Sequence, residues 1–169
     1  MLAACGNKEE DLSAEEREKV IEDGTVGFET AGGIIERAEN VPADEEKAIL
    51  VAFDEYIEAF NEQDIERFMQ TLSKKPAGFN LEEEKEYATQ VFEQFDIKRA
   101  VEDVTITKYS EKEAQVHAKI TTNLLQKGTD VLHDDVGKQI TVFVNEDDTW
   151  KVTSTFYVGA DSKSSTAIE

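Results

Sequence analysis

A chain of 169 residues is the length of a single domain. Its 38 acidic and 18 basic residues leave a net charge of −20. That balance argues against nucleic acid, whose phosphates need a basic footprint, and against adsorption to anionic lipid. No run of about 18 apolar residues occurs, so no segment reads as a membrane-crossing helix. The lone Cys5 excludes a disulfide framework within the chain.

The acid is unevenly spread. Residues 8–47 hold 14 acidic and 5 basic residues, residues 48–96 hold 12 and 4, and residues 97–158 hold 10 and 8. Glutamate-rich helix faces that keep a protein soluble account for this pattern. No calcium-loop spacing of Asp, Gly and Glu accompanies it.

The first residues read Met1-Leu2-Ala3-Ala4-Cys5-Gly6. Leu-Ala-Ala-Cys-Gly resembles a bacterial lipobox, and the resemblance implies a lipid on Cys5 and an extracytoplasmic protein anchored to the cell membrane. Only four residues precede Cys5, too few for the basic and apolar regions of a signal peptide. The sequence therefore reads as beginning inside that peptide, with residues 1–7 its end. Residues 8–43 follow as an acidic tether and a poorly defined segment. Within it, residues 13–23 form a candidate short helix with a Ser13–Glu16 capping box. Val26-Gly27-Phe28 alternates weakly like an edge strand, and Ile34, Ile35 and Ala38 suit one helical turn.

After Pro42 the periodicity sharpens. Ile49, Ala52, Phe53, Tyr56, Ala59 and Phe60 lie on one face of a helix over 44–61. Asp64 is placed to cap a second helix that buries Ile65, Phe68, Met69 and Leu72. Lys74 to Gly78 reads as a loop, and Asn80 caps a third helix over 81–95 with Ala88, Val91, Phe92 and Phe95 on one side. From Ile97 the period becomes two. Val104 and Ile106, then Val116, Ala118 and Ile120, then Ile140, Val142 and Val144, then Trp150, Val152, Phe156 and Val158 mark four antiparallel strands. Lys127–Asp135 is expected to be a loop and Asn145–Asp148 a hairpin turn. The even-numbered strand positions are expected to face the helices. Residues 159–169 read as a disordered tail.

The fold class is thus α+β, three helices packed on a curved antiparallel sheet. The stretch from Phe53 to Met69, with Ala59-Phe60-Asn61-Glu62-Gln63-Asp64 at its centre, resembles the opening of the NTF2-like (SnoaL-like, cystatin-like cone) superfamily. The closing pattern Trp150-Lys151-Val152 with Phe156-Tyr157 is similar to that superfamily's last strand. The resemblance covers residues 44–158 and implies an apolar pocket between helices and sheet and dimerisation through the outer sheet face. Phe53, Tyr56, Phe95 and Trp150 are the candidate pocket residues. On the odd-numbered sheet face, Tyr109, His117, Phe143 and Tyr157, with Leu125, are the candidate dimer residues.

Tyr56 stands five residues before Asn61, where ketosteroid isomerase, an enzyme of the superfamily, carries an oxyanion-hole tyrosine. The enzyme's general base has no counterpart, since the loop Lys74–Asn80 contains no acid. His133-Asp134-Asp135 are adjacent loop residues and make a poor closed metal site. No nucleotide-binding glycine pattern and no catalytic constellation is present, so no cofactor, metal or catalytic residue is expected. The function expected is a binding or dimerisation domain in a lipid-anchored extracytoplasmic protein. Its partner would be a small apolar ligand or a protein, and the chain is expected to form a homodimer. The alternatives are a lyase or isomerase with Tyr56 in its pocket, and a purely structural envelope module.

Overall fold

The computed structural model describes residues 35–159. Cys5, the tether, the expected helix over 13–23, Val26 to Phe28, Ile34 and the tail beyond Gly159 lie outside them. Three helices, α1 (Ala43–Asn61), α2 (Ile65–Gln70) and α3 (Leu81–Gln94), precede four strands, β1 (Phe95–Tyr109), β2 (Glu113–Gln126), β3 (Leu132–Glu146) and β4 (Thr149–Gly159). The strands form one antiparallel meander in the order β1-β2-β3-β4.

Local chemistry sets the helix boundaries. Pro42 precedes α1, and Asp44, Glu45 and Glu46 fill its first turn, where the helix dipole favours negative charge. The Asp64 carboxylate accepts from the Arg67 N–H at 3.0 Å and starts α2. Asn80 Oδ1 accepts from the Glu82 and Glu83 N–H groups at 2.9 and 3.2 Å and starts α3. The face expected for α1 is buried through Ile49, Phe53, Tyr56, Ala59 and Phe60, joined by Ile57, while Ala52 is half-buried. Phe60, Phe68 and Phe92, one from each helix, meet edge to face with centroids 5.0 to 6.4 Å apart.

The strands are longer than the periodicity implied. β1 begins at Phe95, directly on α3, and β3 reaches back to Leu132, so the connection after β2 is only 127–131. The Asn145–Asp148 turn has Asp147 and Asp148 at φ 51° and 64°. Those values suit the tight two-residue connection that matches strand twist.

The expected parity of the strands is corrected by register. Ala114 pairs with Phe143, Val116 with Thr141 and Ala118 with Gln139, so even positions of β2 share a face with odd positions of β3. Bulges shift β1 twice, between Glu102 and Thr105 and between Ile106 and Lys108, and shift the β3–β4 ladder at Val142/Phe143. The helix-facing set is therefore Ile97, Arg99, Val101, Ile106 and Tyr109 on β1. On β4 it is Trp150 and Val152, then Thr155 and Tyr157. Ile140, Val142 and Phe156 belong to the outer face, with His117.

Both sheet edges are occupied, as edges must be to avoid stray pairing. On β4, the Val152 N–H donates to the Thr71 carbonyl at 2.9 Å, and Ser73, Ala77 and Gly78 donate to the Val152 and Thr153 carbonyls. On β1, the Gln63 amide donates to the Phe95 carbonyl at 2.6 Å, Asn61 bonds Arg99, and the Ala38 N–H donates to the Ile106 carbonyl at 2.8 Å.

Candidate functional site

Tyr56 lies on the buried face of α1, 6% exposed, its ring 5.6 Å from that of Phe68. Its hydroxyl meets the side chains of Arg99 and Gln139. Burial pushes the phenol above its ordinary range, the Glu84 carboxylate adds to this, and the Arg99 charge opposes both. The hydroxyl is thus neutral and able to donate at physiological pH.

Arg99 is set by α1. Asn61 Oδ1 accepts from the Arg99 N–H at 2.7 Å and Asn61 Nδ2 donates to the Arg99 carbonyl at 2.9 Å, as a neighbouring strand would. The half-buried guanidinium lies over the Phe60 ring, 3.9 Å from its centroid. Glu84 comes from α3, one turn before the buried Ala88, and is half-buried. Burial raises its carboxyl above the usual range, against the pull of Arg99.

Across the sheet, Gln139 is buried and its Nε2 donates to Thr141 Oγ1 at 2.9 Å. Tyr157 pairs with Gln139 on the same face, and its hydroxyl donates to Asp135. Burial and the Asp135 carboxylate hold the Tyr157 phenol well above its normal range, with Arg99 opposing. The ring occupies the space beside Gly137, where a Cβ would stand 2.5 Å from two ring-end atoms. Between the helices and the sheet, Tyr56, Glu84, Arg99, Gln139 and Tyr157 thus form one polar group beside the Phe60 and Phe68 rings.

The four residues expected to line one pocket do not converge. Phe53 is fully buried in the core. Phe95 is half-buried at the α3–β1 junction beside the C-terminal end of α1. Trp150 sits at the other end of α1, where its indole N–H donates to Glu45 Oε2 at 2.9 Å. A helix of 19 residues is about 28 Å long, so Phe95 and Trp150 belong to opposite ends. Trp150 instead lines an open groove of about 360 Å³ with Val51, Ala52 and Lys151. Of the four, Tyr56 alone belongs to the polar group.

Nor do the four residues expected at a dimer face share one. Phe143 is 0% exposed and packs in the helix-facing core. Tyr109 packs against that core with its ring 6.3 Å from Trp150, and Tyr157 is on the concave side. His117 alone lies on the outer face, buried, its Nδ1 without a hydrogen-bond partner among the described residues. Burial and the nearby Lys138 charge lower its pKa, with Asp103 opposing. The β2–β3 register turns Phe143 inward, the two bulges of β1 cancel before Tyr109, and the bulge in the β3–β4 ladder reverses Tyr157.

Arg99, Glu84 and Gln139 were not singled out by sequence. Lys98-Arg99 reads as a solvated strand position, and the contact with Phe60 shows which way the arginine is held. Among the described residues no group of three or more His, Cys, Asp or Glu is arranged to hold a metal. Nor is any described helix long and apolar enough to cross a membrane.

The fold agrees with that of known proteins. Solved structures of the NTF2-like class superpose on the chain. A ketosteroid isomerase-like protein from Erwinia carotovora atroseptica is 20% identical, with a TM-score of 0.58 over 70% of this chain and 98% of that one. A protein assigned to the dehydratases of the NTF2-like family, from Streptomyces avermitilis, is 14% identical, with a TM-score of 0.59 over 69% and 97%. A protein of unknown function with a cystatin-like fold from Nostoc punctiforme is 11% identical, with a TM-score of 0.58 over 72% and 96%. At such identities the likeness is one of fold, which hosts many functions. No curated protein matches the chain significantly. Residues 52–159 match the family model of the anti-sigma-I factor RsgI9 C-terminal domain, and the chain belongs to that family.

Proposed function

We propose that the chain is a lipid-anchored extracytoplasmic protein whose NTF2-like domain binds a small ligand in the concave mouth bounded by Tyr56, Glu84, Arg99, Gln139 and Tyr157. The observation that carries the reading is the meeting of Tyr56 from α1, Arg99 from β1, held over the Phe60 ring, and the buried Gln139 from β3 on the helix-facing side of the sheet, with the half-buried Glu84 of α3 beside them. A carboxyl shifted by burial beside a specific charged partner is a functional-site candidate. The family's name, taken from an anti-sigma factor, supports a binding role over a catalytic one. The anchor rests on the likeness of Leu2 to Gly6 to a lipobox, and two acyl chains are enough for stable attachment.

Two-dimensional amide NMR of the full chain tests the binding role. Benzamide or benzoate, added as small aromatic probes, should shift Arg99, Gln139 and Glu84 saturably, and shifts confined to other surfaces with both would remove the reading. Cys5→Ser in a full-length gene should release the protein from membranes, and continued retention would remove the anchor.

Pairing of two copies through the outer sheet face belongs to the same proposal. That face carries the half-buried Phe156 with Val136 and Val158, which are 36% and 40% exposed. Sedimentation of Phe156→Glu should give half the mass of the parent protein, and an unchanged mass would contradict pairing.

The second reading, a lyase or isomerase, is favoured by the same carboxyl, since a raised acid beside a neutral tyrosine is suited to proton transfer. Turnover lost in both Glu84→Gln and Tyr56→Phe would favour it.

A further inference from the structure

The mouth contains an arginine that forms no ion pair among the described residues, although the Glu84 carboxyl feels its charge. Three arginines lie among the described residues. Arg37 pairs with Glu46, and Arg67 is ringed by Glu55, Glu58 and Glu62. Arg99 takes part in no ion pair among the described residues, in a chain where acids outnumber bases 38 to 18. Glu84, which bounds the mouth, interacts with its charge without forming an ion pair. Asp135 accepts the Tyr157 hydroxyl.

The guanidinium is also held ready. Asn61 bonds both the N–H and the carbonyl of Arg99, and Phe60 supports the flat face of the guanidinium, so the side chain loses little freedom when a ligand arrives. Five N–H donors in a rigid fork match a carboxylate through two parallel hydrogen bonds. The Tyr56 hydroxyl and the Gln139 amide beside it add neutral polar contacts without opposing charge.

We infer that the ligand of this site bears a carboxylate, received by the Arg99 fork with the Tyr56 hydroxyl as a second donor. The inference rests on the binding role proposed above and adds the chemical class of the ligand. Benzoate and its neutral isostere benzamide separate the two. Each is titrated into the full chain at constant ionic strength while the Arg99 Nε–H and backbone amide signals are followed.

Benzoate should bind at least about tenfold more tightly than benzamide, as a charge-assisted pair implies. Arg99→Gln should abolish that preference and Arg99→Lys should retain part of it. Asn61 holds the backbone and not the side chain, so both variants should keep the wild-type amide spectrum outside the mouth. Equal binding of the two probes at the mouth would overturn the carboxylate and leave the binding role standing. Failure of both probes to shift the mouth would overturn both.

Discussion

The Asn61 side chain brackets the backbone of Arg99, accepting from its N–H at 2.7 Å and donating to its carbonyl at 2.9 Å. The last residue of α1 thereby completes the edge of β1 and fixes where the arginine stands. Asn61→Ala should remove both bonds and cost about 2 kcal/mol, at roughly 1 kcal/mol per bond, measured by urea unfolding. Asn61→Asp keeps the acceptor but loses the donor and sets a carboxylate against the Arg99 carbonyl, so its cost should be similar. A loss near zero in both would show that the strand is held by other means.

Glu84→Gln should stabilise the protein at neutral pH. The native carboxyl titrates above its ordinary range because burial opposes its charge. The native state therefore holds the proton more firmly than the unfolded chain, and stability falls as pH rises through that window. Below about pH 4 both states are protonated, so the variant and parent should converge there. A variant less stable than the parent at pH 7 would contradict this account of Glu84.

His117 should make the domain sensitive to mild acid. Burial and Lys138 lower its pKa, so below about pH 6.5 the unfolded chain binds the proton that the native state resists. Stability is complete above that pH and declines as pH falls. His117→Gln should flatten the dependence of the urea midpoint between pH 7 and 5. An unchanged slope would place the acid sensitivity elsewhere.

Phe143→Asp should unfold the domain and not merely separate subunits. The side chain is fully buried among helix-facing residues, and an unpaired buried charge costs about 3–5 kcal/mol. Phe143→Leu should cost about 1 kcal/mol and preserve the fold by circular dichroism. A folded, soluble Phe143→Asp protein would mean that this face of β3 is turned outward.

Gly137→Ala should destabilise the sheet by about 1–3 kcal/mol through overpacking. The added Cβ would meet the Tyr157 ring end at 2.5 Å and the Val158 carbonyl at 2.6 Å. Tyr157→Ala in the same protein should recover only part of the loss, because the carbonyl cannot move aside. Full recovery in thermal unfolding would assign the whole clash to the ring.

The helices were legible because their apolar residues repeat at helical spacing and Asp64 and Asn80 announce their starts. The strands were legible as strands, and their faces were not. Asp103, at φ 54°, lies within one bulge of β1, and nothing in Glu-Asp-Val-Thr marks the extra residue that reverses the parity. On β3 the error came from register, since Ala114 pairs with Phe143 and not with an even-numbered residue. Tyr56 was found because it lies on a strongly periodic helix. Arg99, Glu84 and Gln139 became visible only when three distant segments were brought onto one concave surface.

The central claim is that Tyr56, Arg99 and Gln139 form a ligand site, and crystallography with soaked small fragments, neutral and carboxylate-bearing, tests it most directly. The account predicts fragment density in the concave mouth, with carboxylates oriented toward the Arg99 fork. Fragments found only in the groove beside Trp150, with the mouth closed by its own side chains, would contradict it.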